Sequence, residues 1–365
     1  MPSAIGKRGR SAALVACLLV SALILASVQA LFAPPVSAAD EYDALREKWK
    51  VMLTGGTSFS TSDPDIAAQI AAITATAQSH WDTMDKSSSR TYLWSDLTFS
   101  DAAHYTSTYK RLKEMALAWA TKGSSLQNNA SLLADIKDAL DWMYANKYNE
   151  TTTKSGNWWD WEVGAPLHLN DTVVLLYDQL SSAQINNYMN AVDHFQPTIT
   201  MTGANRVWEC TVIAIRGIIV KDGAKIAAAR DGASPVLDYV TAGDGFYRDG
   251  SFIQHNMYAY NGGYGGALLF ELSKLMYLLS GSTWEITDPD KQNVYEWVYN
   301  AFEPLMYKGA MMDMTRGREI SRDYQDAYKS GHNNIQSIIR ISQFAPPADA
   351  ARMKSMVKYW IQSGT

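Results

Sequence analysis

The chain has 365 residues, 47% of them hydrophobic, and a formal net charge of -5. Its length and apolar content can supply one large hydrophobic core. The acidic balance excludes nucleic-acid binding by bulk charge, so any polyanionic ligand must be held by a local basic cluster.

The first 39 residues are predicted to be a signal peptide. Basic residues within 7–10 precede an apolar run at 12–31, and small residues suited to cleavage occupy 36–39. The apolar run is about long enough to span a bilayer, so an uncleaved anchor is the alternative. The two prolines at 34–35 favour cleavage. We therefore expect a secreted, extracellular protein with no membrane attachment and a net charge of about -8 after cleavage, because three positive charges leave with the signal.

Residues 40–365 are predicted to form one domain without a disulfide. Of the two cysteines, Cys17 lies in the predicted signal, which leaves Cys210 alone. Stability must then come from the core, and we expect a monomer. No metal-ligand spacing stands out, and no cofactor is expected.

Helical patterns dominate the mature chain, and no alternation typical of a long strand is present. Asn129 is a candidate N-cap for one of these helices. Apolar residues recur at helical spacing over residues 66–80, 105–119, 132–144, 172–180, 207–220, 267–279, 294–305, 335–341 and 348–361. Many helices of this length predict an all-α fold, and stacked helical hairpins could close into a toroid. Periodicity leaves a solenoid or an irregular bundle open.

Three loop regions, 156–166, 243–266 and 313–323, are rich in aromatic, glycine and polar residues, which is typical of sites on a helical scaffold. In the first, Trp158, Trp159 and Trp161 cannot all face one side of a helix. Core packing accounts for one or two of them, and an exposed ring offers a stacking surface for a sugar. Asp160 and Glu162 could instead form a hydrolase carboxylate pair.

The second loop region contains His255 and Tyr264, which are nine residues apart, and glycines surround Tyr264. A single histidine or tyrosine in such a place is usually structural. Two titratable groups near one pocket, however, are what acid–base catalysis requires. The glycines next to Tyr264 would let a ligand approach the backbone.

Two further motifs complete the candidate site. Arg318 and Arg322 are four residues apart, so on a helix they share one face and could clamp a carboxylate. The alternative is a solvated basic face paired with Glu319 and Asp323. Asn205 precedes a predicted helix, where it is either an N-cap or an amide donor to a substrate oxygen.

These motifs together resemble the polysaccharide lyases that include hyaluronate lyase, chondroitin AC lyase and xanthan lyase. The resemblance covers residues 41–365, and four motifs in the same order and spacing are more specific than any one of them. The matching segments are NWWDWEVG at 157–164, TGANR at 202–206, DGSFIQH and YNGGYG at 249–255 and 260–265, and RGREISR at 316–322.

The resemblance implies an incomplete α/α toroid of helical hairpins with a long substrate cleft. It implies that Asn205 and His255 neutralise a uronate carboxylate and that Tyr264 transfers the proton. Arg318 and Arg322 would hold Tyr264 and the substrate. The substrate-binding residues would be Trp158, Trp159, Asn157 and Arg316.

The chemistry implied is β-elimination without a metal. The proton at C5 of a uronate is weakly acidic, and donors to the carboxylate would absorb the charge that develops there. Tyrosine has a pKa of about 10, so it must be lowered by about three units, or roughly 4 kcal/mol, to act near neutrality. Two nearby arginines are the expected cause.

The resemblance leaves the substrate open between hyaluronan or chondroitin and the pyruvylated mannosyl-glucuronate side chains of xanthan. Relatives of this family continue into β-sandwich domains that cover the cleft, so this chain is expected to be a fragment of such a protein. An inactive glycan-binding fragment is therefore a further alternative. A hydrolase would need opposed carboxylates, for which the candidates are Asp160, Glu162, Asp244 and Asp249.

Overall fold

The computed structural model describes residues 40–322 and 325–364, so the predicted signal peptide at 1–39 lies outside the described residues. Within them, helices predominate and all strands are two or three residues long, which confirms the predicted all-α class. The α-helices are α1 (Glu41–Thr54), α2 (Pro64–Thr83), α3 (Ala103–Ala120), α4 (Ala130–Asn146), α5 (Ala165–Leu176), α6 (Ser182–Phe195), α7 (Gly203–Val220), α8 (Gly223–Ala233), α9 (Gly266–Leu279), α10 (Asn293–Trp297), α11 (Ala327–Ile341) and α12 (Pro347–Ser363).

The longer helices form an inner and an outer layer. Helices α3, α5, α7, α9 and α11 each pack against the next one in this order, and α1 packs against the first four. The helices between them in sequence pack on the outside, with α2 and α4 on α3, α6 on α5 and α7, α8 on α7, and α12 on α11. Consecutive helices therefore pair as hairpins around a shared core.

Sequence composition explains which helices lie inside. Helix α9 reads GALLFELSKLMYLL, and ten of its residues are buried because it is covered by α1, α7 and α11. Outer helix α2 buries only Ile70 and Ala77. Its start is fixed locally, since the carboxylate of Asp63 accepts hydrogen bonds from the N–H groups of Asp65 and Ile66.

Eight of the nine periodic patterns fall wholly or mostly in observed helices, whereas helices α1, α6 and α8 were not among those predicted. Asn129 caps α4, its side chain accepting a 3.0 Å hydrogen bond from Leu132 N, as predicted. The pattern at 294–305 instead divides into α10, a π-helical turn at Val298–Phe302 and a 3₁₀ turn at Glu303–Leu305. Pro304 has no N–H to continue an α-helix, which explains why the helix ends before it.

The strands belong to the loops that border the inner helices. Strands β1 (Gly245–Phe246), β2 (Phe252–Gln254) and β3 (Tyr258–Ala259) form an antiparallel sheet in that order. A second pair consists of β4 (Met306–Tyr307) and β5 (Ala310–Met311), and β5 packs on α11. Cys210 is buried in α7, where burial raises the pKa of its thiol to about 12.

Two π-helical turns introduce inner helices and also carry predicted site residues or their neighbours. The turn Asp160–Gly164 follows Trp159 and leads into α5, and the turn Asn261–Gly265 contains Tyr264 and leads into α9. A π-turn adds one residue to the helical repeat and so redirects the side chains that follow it, which is why such turns are frequent at functional sites.

Candidate active site

A cleft of about 650 Å³ opens above the inner helices and gathers most of the predicted site residues. Residues from five separate segments of the chain meet there. The predicted residues that line it are Asn157, Trp158, Trp159, Asn205, His255, Tyr264, Arg318 and Arg322. The structure therefore brings together eight side chains that are up to 165 positions apart in sequence, from Asn157 to Arg322.

Tyr264 and Arg318 are in direct contact. The guanidinium Nη2 of Arg318 donates a 2.8 Å hydrogen bond to the hydroxyl oxygen of Tyr264. The Arg318 Cζ atom also lies 5.8 Å from the centre of the Tyr264 ring. The contact places a guanidinium donor directly on the hydroxyl of Tyr264.

His255 faces Tyr264 from the turn between β2 and β3. The two ring centres are 5.0 Å apart and the rings are nearly perpendicular, at 85°. His255 is exposed and has a φ of 55°, a left-handed conformation that residues other than glycine seldom adopt. Such strain at an exposed polar residue is typical of a functional site rather than of a packing residue.

Asn205 projects into the cleft from the first turn of α7. The N-cap of this helix is Thr202, so the structure excludes the alternative in which Asn205 is the capping residue. Asn205 is half-buried and lines the same cleft as His255 and Tyr264. An amide there can donate a hydrogen bond to a carboxylate oxygen.

One wall of the cleft is aromatic. Trp158 and Trp159 are half-buried and line the cleft, whereas Trp161 is 1% exposed and belongs to the core. Trp208, which the sequence analysis did not identify, packs edge-on against Trp159 at 5.7 Å and against Tyr264 at 6.3 Å. The sequence could have indicated Trp208, because it follows Asn205 by three residues and residues at that spacing share one helix face.

Arg316 does not reach the cleft. The residue is 3% exposed, and its guanidinium donates hydrogen bonds to the carboxylate of Asp313 and the carbonyl oxygens of Glu319 and Gln325. These bonds hold together the loop that carries Arg318. The sequence could not separate Arg316 from Arg318, because the two arginines are only two residues apart.

Tyr260 connects the loop of Arg318 to the turn of Tyr264. The Tyr260 hydroxyl accepts a 3.0 Å hydrogen bond from the backbone N–H of Arg318. Gly263 and Gly317 pack on its ring, and a Cβ on either residue would overlap that ring. Glycine is therefore required at both positions by packing within the protein, a reason that the sequence alone did not indicate.

The segment Gly317–Ser321 is a 3₁₀ turn and not the α-helix assumed for Arg318 and Arg322, yet both arginines line the cleft. Glu319 lies between them and also lines it. Burial raises the pKa of the Glu319 carboxyl, and the charges of Arg322, Arg316 and Arg318 oppose this. Asp323 lies outside the described residues.

The four carboxylates considered for hydrolysis do not line the cleft. Asp160 is buried and accepts hydrogen bonds from Thr106 Oγ1 at 2.6 Å and from Asn157 at 2.8 Å. Glu162 forms an ion pair with Lys154. Asp249 accepts hydrogen bonds from its neighbour Ser251. Asp244 accepts hydrogen bonds from Gln254 and from the backbone N–H of Asn256, so none of the four candidates is placed to act in hydrolysis.

Helices α9 and α11 also contribute polar groups to the cleft lining. These include the half-buried Asn333 and the buried Asn334 and Ser330, and the Ser330 hydroxyl has no hydrogen-bond partner among the described residues. Glu271 also lines the cleft, 3.0 Å from the ammonium group of Lys274. Hydroxyl, amide and carboxylate groups of this kind are suited to the hydroxyl groups of a sugar.

Among residues 40–322 and 325–364, no three His, Cys, Asp or Glu side chains are grouped so that they could hold a metal ion. In the same part of the chain, every helix is too short or too polar to cross a lipid bilayer.

Comparison with known proteins identifies a matching family and several relatives of this chain. Residues 49–359 match a family model described as polysaccharide lyase family 8, N terminal alpha-helical domain. A xanthan lyase of Bacillus sp. (strain GL1) is 51% identical over 332 residues, which are 90% of this chain and 36% of that protein. A hyaluronate lyase of Thermasporomyces composti is 40% identical, over 89% of this chain and 42% of that protein.

A solved structure shows the same arrangement of helices. The Streptomyces coelicolor A3 chondroitin AC lyase in complex with chondroitin sulphate superimposes with a TM-score of 0.86 and 39% identity, over 90% of this chain and 46% of that one. This similarity confirms the predicted α/α toroid. The chain spans less than half the length of each of these relatives.

Proposed function

Because the chain belongs to polysaccharide lyase family 8, we propose that its cleft cleaves a uronate-containing acidic polysaccharide by β-elimination. The observation that carries the proposal is the 2.8 Å hydrogen bond from Arg318 to the hydroxyl of Tyr264, in a cleft shared with His255 and Asn205. A hydrolase would need opposed carboxylates in place of this set.

In this mechanism Tyr264 is both base and acid. As a phenolate supported by Arg318, it removes the proton from C5 of the uronate. The electron pair of the C5–H bond forms the C4–C5 double bond, and the bond from C4 to the glycosidic oxygen breaks. Tyr264 then returns its proton to that oxygen. The products are a new reducing end and an unsaturated uronate, and no water is consumed.

Asn205 and His255 support the same step from the side of the carboxylate. Removal of the C5 proton sends negative charge onto a group that is already anionic, so hydrogen-bond donors directed at it lower the barrier. Trp158, Trp159 and Trp208 would hold the apolar faces of the sugar rings. Arg322 would add a positive charge for a second acidic group of the polymer.

Two substrate classes remain, and identity favours one of them. The chain is 51% identical to a xanthan lyase and 40% identical to a hyaluronate lyase. We therefore propose xanthan side chains, in which pyruvylated mannose is linked to glucuronate, as the first substrate to test. Hyaluronan and chondroitin present a uronate to the same residues and form the second group.

A product assay on xanthan, hyaluronan and chondroitin tests the proposal. The expected result is a rise in ultraviolet absorbance from the conjugated unsaturated uronate with at least one polymer, together with a matching increase in reducing ends. New reducing ends without that absorbance would contradict elimination. Binding of a polymer with neither signal would support a glycan-binding fragment instead.

We propose that the chain acts on this polymer outside the cell, after export through the predicted signal at 1–39. N-terminal sequencing of protein recovered from the culture medium should find a mature chain that begins near residue 40. A mature chain that retains residues 12–31 would contradict cleavage and favour a membrane anchor.

A further inference from the structure

The carboxylate of Asp244 joins the two segments that carry Asn205 and His255. Its Oδ1 accepts a 2.7 Å hydrogen bond from the backbone N–H of Asn256, the residue after His255. Its Oδ2 accepts hydrogen bonds of 2.9 Å from Thr202 Oγ1 and 2.7 Å from Gln254 Nε2. One side chain thus bonds to the start of α7 and to both sides of the histidine.

The turn that carries His255 needs such support. His255 and Asn256 have φ angles of 55° and 65°, so two consecutive residues other than glycine adopt the left-handed conformation. Asparagine and histidine adopt this conformation more readily than most residues, but two in succession are uncommon and depend on contacts that hold the turn. The hydrogen bond from Asn256 N to Asp244 is such a contact.

The start of α7 also contacts the Asp244 carboxylate. Thr202 is the N-cap, yet its hydroxyl bonds to Asp244 and not to its own helix. Gln254 Oε1 accepts a 3.3 Å hydrogen bond from Ala204 N, and a Cβ on Gly203 would overlap that oxygen. The backbone next to Asn205 is therefore held against β2 at a fixed distance.

We propose that Asp244 is a positioning residue that sets the distance between Asn205 and His255 on the two sides of the substrate carboxylate. Asp244 does not itself line the cleft, so it acts through the residues it holds. The inference rests on the proposed function, because it concerns the two groups that neutralise the carboxylate during elimination.

The first test is Asp244→Asn. An amide nitrogen cannot accept a hydrogen bond, so at least one of the three donors loses its partner. We expect kcat to fall on the order of 10²-fold with little change in KM, because misplacement by about 1 Å affects the transition state more than ground-state binding. Unchanged kcat would overturn the proposal.

The matched control is Asp141→Asn on α4. Asp141 also accepts two side-chain hydrogen bonds, 2.6 Å from the Tyr188 hydroxyl and 2.9 Å from Gln184 Nε2, but it lies outside the cleft lining. This variant should retain both kcat and KM. An equal loss of kcat in both variants would mean a general effect on stability and would overturn a positioning role.

A rescue variant separates geometry from charge. In Asp244→Asn combined with Gln254→Glu, the amide and the carboxylate exchange places. The new asparagine can donate to residue 254 while its oxygen accepts from Asn256 N, and the glutamate can still accept from Ala204 N. Recovery of most of the lost kcat is expected. A double variant as slow as Asp244→Asn alone would overturn the proposal.

A readout without substrate distinguishes this inference from the proposed function. Side-chain NMR of the histidines, with the His255 signal assigned through His255→Gln, should show a shifted His255 resonance in Asp244→Asn and not in Asp141→Asn. An unmoved His255 signal would overturn the positioning role even in an active enzyme. A moved signal in a chain that makes no unsaturated product would support positioning and contradict the lyase assignment.

If Asp244→Asn does not fold, Thr202→Val serves in its place. This substitution removes only the hydrogen bond from the Thr202 hydroxyl to the Asp244 carboxylate. The expected loss of kcat is about tenfold, smaller than for the loss of the carboxylate. Wild-type kcat and an unmoved His255 signal in this variant would count against the proposal.

Discussion

The two sides of the cleft are built by different physical means. The aromatic wall continues into the core: Trp159 packs on Trp208, and nearby Trp161 contacts Tyr105 at 4.1 Å and Phe195 at 5.2 Å between ring centres. The side with His255 and Arg318 consists of exposed loop residues held by hydrogen bonds. We infer that one side binds the polymer and the other performs the chemistry.

This difference implies different kinetic signatures. Substitutions in the aromatic wall should mainly change KM, because stacking acts on substrate and transition state alike. Substitutions in the hydrogen-bonded side should mainly change kcat, because those groups respond to charge that appears only during the reaction.

The largest effect is expected for Tyr264→Phe. Removal of the hydroxyl eliminates the proton acceptor while the ring continues to pack between His255 and Trp208. We expect kcat to fall about 10³-fold or more with little change in KM. Steady-state kinetics on the polymer that gives product checks this. A variant that retains a tenth of wild-type kcat would rule out Tyr264 as the base.

Asn205→Ala should give the next largest effect. Loss of the amide donor leaves the carboxylate less well neutralised as charge develops, which we expect to lower kcat on the order of 10²-fold. Circular dichroism should be unchanged, because Thr202 and not Asn205 caps the helix. A rise in KM with normal kcat would show that Asn205 contributes to substrate binding and not to the chemical step.

The scaffold beneath the aromatic wall should show a pH-dependent stability of its own. Burial, with the charges of Lys113, Lys110 and Lys274, lowers the pKa of His168 in α5 to about 3. As the pH falls, the unfolded chain therefore protonates this histidine before the folded chain does. The free energy of unfolding decreases as pH falls from about 6.5 towards 3.

Replacement of His168 by glutamine tests this expectation. At pH 4.5 the wild type should have lost about 2 kcal/mol that the variant does not lose, relative to pH 7. Thermal or urea unfolding at the two pH values measures the difference. Equal acid sensitivity in the two proteins would contradict a neutral His168 in the folded chain.

The smallest effect is expected for Trp159→Ala. Loss of one stacking surface should raise KM about tenfold, equivalent to about 1.4 kcal/mol of binding, and leave kcat nearly unchanged. The control is Trp284→Ala, since Trp284 is also partly buried but packs on Tyr42 outside the cleft lining. A fall in kcat without a change in KM would show that the two walls do not divide binding from chemistry.

Much of the fold and the site was predictable because the signals are local. Helices such as α4 and α9 follow from apolar residues at helical spacing and from caps such as Asn129. The motifs around Trp158, Asn205, His255 and Tyr264 were identifiable because each places unusual residues within a few positions. Four motifs in a shared order indicated one cleft.

The remainder depends on contacts between distant segments. Trp208 lies in a helix whose other residues are mostly buried, so its position at the cleft is set by how α7 packs. Arg316 and Arg318 cannot be told apart from sequence alone. The fold buries Arg316 and places Arg318 against the hydroxyl of Tyr264. The role of Tyr260 depends on a contact with Gly317, 57 positions further along the chain.

The central claim is that the cleft breaks its substrate by elimination, and the most direct test is the mass of the products formed in water enriched in oxygen-18. Elimination consumes no water, so the products should contain no heavy oxygen at the cleaved bond, and the unsaturated fragment should be lighter than the hydrolytic one by one water molecule. Incorporation of one heavy oxygen atom per bond cleaved would contradict the account and show hydrolysis.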